Sequence, residues 1–159
     1  MRIVGIDPGI SKSAPGAVAG IDTKSKWREV VDLPVVRGKR KSDTKVDGLA
    51  LMTILKDFEP ELIVTELLNG RPGQGAGTMW RMAESYGIVL GVCMVYPAEL
   101  LLVHPASWKR KHGLLGTAKE ASRLKALRLL PELKTELSRK KDHGRAEAGL
   151  LALYGSLVR

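Results

Sequence analysis

The sequence predicts an α/β domain built as a mixed five-stranded sheet flanked by helices. Three short apolar runs separated by turn residues fill positions 1–36, and beyond them helical and strand periodicities alternate. The composition agrees, with 44% hydrophobic and 27% charged residues in 159, the balance of a globular chain. That length suits a single domain, and the whole of 1–159 is read as one unit, with no internal repeat, low-complexity tract or linker.

Met1 to Asp7 (MRIVGID) reads as the first strand, and a Pro/Gly turn segment returns the chain into Gly16 to Ile21 as a hairpin. Trp27 to Val36 offers a third strand. Lys39 to Thr44 is a basic connector, after which Val46, Leu49, Ala50 and Leu55 fall at helical spacing in a segment that ends at Phe58, before Pro60. Leu62 to Leu68 (LIVTELL) is a short apolar run, as expected of a strand covered on both faces. The stretch NGRPGQGAG, 69–77, is too rich in Gly and Pro for regular structure, and Thr78 can cap a helix from Met79 to about Gly87, ahead of the apolar stretch Ile88 to Tyr96. Leu100 to Val103 is the last strand, and HPASWKRKHG, 104–113, reads as a basic loop. Lys119 to Leu130 is a basic amphipathic helix ended by Pro131, and Arg145 to Val158 is a final helix rich in Leu and Ala.

The composition excludes several classes. The longest uncharged apolar run, Ile88 to Tyr96, is half of the roughly 18 residues a membrane span needs. Asp7 interrupts the N-terminus where a secretory leader would be apolar, so a cytoplasmic protein without a membrane partner is expected. The one cysteine, Cys93, rules out an internal disulfide and a multi-cysteine zinc site. Charge is the positive signal. The chain carries a net +9, and residues 101–159 hold 13 basic side chains against five acidic ones. A field of that sign attracts polyanions through counterion release, which makes nucleic acid the leading partner class.

Two carboxylates lie inside apolar strands, where burial without a partner cation is costly. Asp7 ends the first strand before Pro8-Gly9, and Glu66 shares a strand face with Val64 and Leu68. A third acidic group lies in KKDHGRAEAGLLALYG. There Asp142 and Glu147 are separated by about 140° of helix, so both face one site only if Asp142 sits at the helix entrance. His143 and Glu147, at i and i+4, share a face more naturally. Taken singly, Asp7 suits a turn, Glu66 an ion pair, Asp142 an N-cap and Glu147 a first-turn acid. Taken together, they are the oxygen donors that Mg²⁺ or Mn²⁺ takes in two-metal phosphodiester hydrolysis. Lys109, Arg110, Lys111, Lys119, Arg123, Lys140 and Lys141 are candidate phosphate contacts, with Arg71 and Arg81 flanking the glycine loop. Trp80, Met82 and Tyr86 suit either a dimer seam or the core.

The ordered set GIDPG (5–9), IVTELL (63–68), QGAGTMWRMAESYGIVLGV (74–92), HPASWKR (104–110) and KKDHGRAEAGLLAL (140–153) resembles the RuvC-like Holliday junction resolvases of the RNase H-like superfamily, in particular their phage-encoded branch. The resemblance implies an RNase H-like sheet and a homodimeric, Mg²⁺-dependent endodeoxyribonuclease that nicks opposing strands of four-way DNA junctions, in a bacterial cell or, if phage-encoded, in the host cytoplasm. It implies Asp7, Glu66, Asp142 and Glu147 as catalytic metal ligands. The bacterial branch has an acid three residues before its last ligand; Gly144 stands there in this chain, and Asp142 or His143 fills the place. The competing expectations are a nuclease for forks or flaps and a non-catalytic junction-binding protein.

Overall fold

The computed structural model describes residues 1–10, 15–39, 43–70 and 73–159. Its centre is a sheet of five strands: β1 (Arg2–Ile10), β2 (Pro15–Asp22), β3 (Arg28–Asp32), β6 (Leu62–Glu66) and β7 (Glu99–Val103), in the order β3-β2-β1-β6-β7. The hairpin partners β2 and β3 run antiparallel to their neighbours, while β1, β6 and β7 are mutually parallel. The sheet is therefore mixed and five-stranded, as the sequence predicts. A separate two-stranded ribbon pairs β4 (Val35–Val36) with β5 (Lys45–Val46). The expected third strand is thus two, because the chain leaves β3 at Leu33-Pro34, and proline supplies no N–H for the ladder.

Alternation along the strands divides the core in two. On one face Ile3, Ala17, Ala19, Ile21, Leu62 and Val64 pack under α5 (His143–Val158) and α4 (Lys119–Leu129). On the other, Val4, Ile6, Val18 and Ile63 pack under α1 (Gly48–Phe58) and α2 (Ala76–Val95). The first of these, α1, is capped by Asp47, whose side chain accepts from the Ala50 N–H, and ends at Glu59 in the left-handed conformation just before Pro60.

The last helix, α5, lies so close to the sheet that side chains at the contact must be small. Ala148, Ala152 and Gly155 form its ridge, and a Cβ on Gly5 would fall 2.0 Å from the Ala148 carbonyl oxygen and 2.5 Å from the Ala152 nitrogen. Gly5 is the residue that lets the helix backbone rest directly on β1.

Two local expectations are corrected. The helix expected from Met79 to about Gly87 is α2, and it runs for 20 residues with Gly75, not Thr78, at its N-cap. Ile88, Val89, Val92 and Cys93 sit on its sheet-facing side, while Gly87 and Gly91 face open space, so the apolar stretch continues the helix. The segment 104–113 is not a loop: it contains α3 (Pro105–Lys111), started by a proline at a helix-compatible first position and anchored by the buried Trp108. Among the described residues, no helix is long and apolar enough to cross a membrane.

Candidate active site

Because β1 and β6 are parallel with Ile6 beside Thr65, the next residue on each strand, Asp7 and Glu66, emerges at the same sheet edge and on the α5 face. The hydroxyl of Thr65 donates to the Ile6 carbonyl at 3.0 Å and locks that register from within the core. The β1–β2 ladder shifts register between Asp7 and Ile10. Within this bulge the Gly9 N–H donates to Asp7 Oδ1 at 3.1 Å, so the carboxylate is held by the bulged end of β1 itself.

Glu147 arrives from α5. It lies one turn before Leu151, whose Cβ closes on Gly5, and Gly5 is two residues before Asp7 on the same strand face. Two sparse contacts, helix ridge to Gly5 and parallel register to β6, thereby bring three acids from positions 7, 66 and 147 together. The electrostatics register the crowding. Burial first, then Glu147 and Glu66, push the Asp7 carboxyl up to about 8, against the pull of the Gly9 N–H and of Lys109.

Each of the other two acids has a donor. Glu66 Oε1 accepts from the Trp108 indole N–H at 2.6 Å, and the Glu66 carbonyl accepts from the Tyr86 hydroxyl at 2.8 Å. Glu147 Oε1 accepts from the Ser122 hydroxyl at 3.2 Å. Trp108 and Ser122 were not among the candidates from sequence. The available signals were a tryptophan inside a basic segment and a serine on the inner face of an otherwise basic helix.

Asp142 is placed differently. It is buried, and its carboxylate accepts from the Arg139 backbone N–H at 2.8 Å and from the Arg139 guanidinium at 2.7 Å, closing the 3₁₀ turn Lys140–Asp142. It makes no side-chain bond to the N-terminus of α5. Burial acts to raise its carboxyl, but Arg139 outweighs this and holds it below the usual carboxylate range. The charges that act on it come from Arg139 and Arg145, whereas those acting on Asp7 come from Glu147, Glu66 and Lys109. The geometry therefore brings Asp7, Glu66 and Glu147 together and leaves Asp142 in an arginine pair. His143, one turn before Glu147 on the same helix face, has a buried Nε2 with no hydrogen-bond partner.

The carboxylate oxygens of Asp7, Glu66 and Glu147 fit the chemistry of a divalent cation. Their mutual repulsion is the charge such an ion would neutralise. Among the described residues no three Asp, Glu, His or Cys side chains are already closed around one point.

Of the basic candidates, Lys109 belongs to the site, with Nζ 5.2 Å from the Trp108 ring centroid. Arg110, Lys111, Lys119, Lys140 and Lys141 are exposed. Arg81 is half-buried and reaches Thr78. Arg123 is committed inward, to Glu120 and to the Leu137 carbonyl at 2.8 Å, so the structure gives it a bracing task rather than an open guanidinium. Arg71 lies outside the described residues. The aromatic seam splits as well: Tyr86 and Met82 turn toward the sheet side of α2, and Trp80 is 73% exposed on the opposite side.

No family model matches the chain, and no curated protein matches it in sequence. Solved structures do. The chain is similar to Thermus thermophilus RuvC, with a TM-score of 0.64, 19% identity and coverage of 99% of this chain and 96% of that one. It is similar to the same organism's RuvC in complex with Holliday junction substrate, with a TM-score of 0.66, 18% identity and coverage of 99% and 96%. The Fowlpox virus resolvase, in complex with its substrate Holliday junction DNA, matches at a TM-score of 0.50 and 13% identity over 100% of both chains. With 99% of its length aligned, its strand order and its helices on both faces, the chain has the RNase H-like fold of RuvC.

Proposed function

We propose that the protein is a divalent-metal-dependent endodeoxyribonuclease that resolves Holliday junctions by nicking opposing strands. The observation that carries the reading is the convergence of Asp7, Glu66 and Glu147 at one edge of a RuvC-type sheet, beside Lys109. The bound substrates of the structural neighbours are Holliday junctions, and a +9 chain suits such a polyanion. Asp7, Glu66 and Glu147 would hold Mg²⁺, or Mn²⁺ in its place, with His143 Nε2 as a fourth donor. A cation held there supplies Lewis-acid polarisation of the phosphodiester and eases deprotonation of the attacking water. The protein's own contributions are positional: Gly9 and Trp108 fix two carboxylates by hydrogen bonds, and Lys109 brings positive charge to where phosphate oxygens gather. Arg110 and Lys111, on the exposed side of α3, extend that charge outward.

Two nicks require two sites, and each chain supplies one acid cluster, so the working form is a homodimer. The outer side of α2 suits the second copy. Trp80, Ala83, Gly87, Gly91 and Met94 fall in one exposed stripe, with Trp80 and Met94 each 73% exposed and open space at both glycines. Gly91→Lys should give a monomer by light scattering that makes single, unpaired nicks.

The deciding experiment incubates the protein with labelled four-way junction and matched duplex, with and without Mg²⁺. Paired, symmetric cuts in the junction that need Mg²⁺ and vanish in Glu66→Gln support the reading. Preferential cutting of forks or flaps would make it a different branch nuclease, and tight binding without cutting would make it a passive junction binder.

A further inference from the structure

Trp108 is the largest fully buried side chain of the protein, yet it occupies a seven-residue helix of otherwise basic and small residues. Its indole joins three elements. The N–H reaches Glu66 Oε1 on β6 at 2.6 Å, across 42 residues of sequence. One ring face carries Lys109 Nζ. The ring also meets His112 at a centroid distance of 6.3 Å, and His112 Nε2 lies 2.9 Å from the Leu150 carbonyl of α5. A buried indole needs one acceptor for its N–H. Here the acceptor is a member of the acid cluster rather than a backbone carbonyl, and such charge-assisted bonds are shorter, stronger and more directional. A phenylalanine would fill most of the same space but would donate no hydrogen bond.

We propose that Trp108 is a positioning residue for the acid cluster: its indole N–H fixes the orientation of the Glu66 carboxylate, while its ring seats Lys109 beside Asp7. The proposal rests on the metal-dependent reading above and adds a residue that touches neither substrate nor metal. Partners of this kind typically cost about 10- to 100-fold in metal affinity when removed.

Two measurements test it. In the metal-free native chain with ¹⁵N-labelled indoles, one of the three tryptophan N–H resonances should exchange with water far more slowly than the other two and should move in Glu66→Gln. Trp27 is half-buried and Trp80 exposed, so neither competes for that assignment. If no indole resonance responds to Glu66→Gln, the proposal fails. In the second arm Trp108→Phe is titrated with Mg²⁺ alone by calorimetry and assayed on labelled junction. The expected result is Mg²⁺ affinity reduced about tenfold or more, a lower single-turnover cleavage rate and unchanged junction affinity in EDTA. Folded Trp108→Phe with native Mg²⁺ affinity and rate overturns the proposal; if the variant does not fold, the indole resonance alone decides. A native chain that neither binds Mg²⁺ nor cuts junctions refutes the proposed function instead, and the indole arm still reads the Trp108–Glu66 bond.

Discussion

Gly5 on β1 lies directly under the Ala148 carbonyl of α5, with so little room that a Cβ would stand 2.0 Å from its oxygen. The obstacle is backbone, which cannot swing aside as a flexible side chain can. Gly5→Ala should therefore push the helix off the strand and destabilise the fold at or beyond the upper end of the usual overpacking cost, about 3 kcal/mol. At this size that lowers Tm by roughly 6–12 °C. Thermal melts check it. A Tm within about 2 °C of native would show that α5 does not rest on β1 this closely.

Asp7→Asn should raise the stability of the metal-free protein while abolishing cleavage. The folded carboxyl titrates at about 8, against about 4 when unfolded. Between those values the native state holds a proton that the unfolded chain releases, so stability falls as pH rises from about 4 to about 8. Asn removes the penalty and can still accept the Gly9 N–H. The gain in Tm, measured in EDTA, should be negligible near pH 4, grow with pH and level off above about 8. A gain that does not depend on pH would detach Asp7 from the cluster charge.

Asp142→Asn should keep its acceptor for the Arg139 N–H but lose the ion pair. Arg139 is half-exposed, so the expected loss is about 1–2 kcal/mol, below that for a fully buried pair. This carboxyl is depressed when folded. Its contribution is present above the unfolded value and disappears as pH falls through the folded one, so native and variant melts should converge in acid. Junction cleavage should stay within about threefold of native, whereas His143→Ala should weaken Mg²⁺ binding by about tenfold. An inactive, folded Asp142→Asn would return that residue to the metal site.

Neutralising Arg110 and Lys111 together should weaken junction binding equally across sequences and flatten the log–log salt dependence by up to about two units. Both are exposed and lie next to Lys109 at the site. An unchanged slope would put the DNA surface elsewhere.

The strands and two of the three acids were legible in the sequence because their signals are local. LIVTE is a buried strand by its own composition, and a carboxylate inside it calls for a partner. Glu147 was legible as a residue, and its pairing with Asp7 is produced by a tertiary contact at Gly5. Asp142 is open to several readings in the sequence, because an aspartate ahead of a helix is equally a cap, a ligand or an ion-pair partner. In the structure its carboxylate is paired with Arg139, three residues earlier, a contact that spacing alone does not encode. The same holds for α3. Seven residues with three cations at the end look like a loop until Trp108 is seen to fill the core beneath them.

The seating of α5 on Gly5 also has a bearing on biosynthesis. Ribosomes deliver Asp7 and Glu66 long before Glu147, and until α5 docks, the sheet face beneath it is uncovered and the third acid is absent. A chain translated only as far as α4 thus carries Asp7 and Glu66 without Glu147. The proposed cleavage would need α5 in place, because the same helix brings Glu147 and covers that face of the sheet.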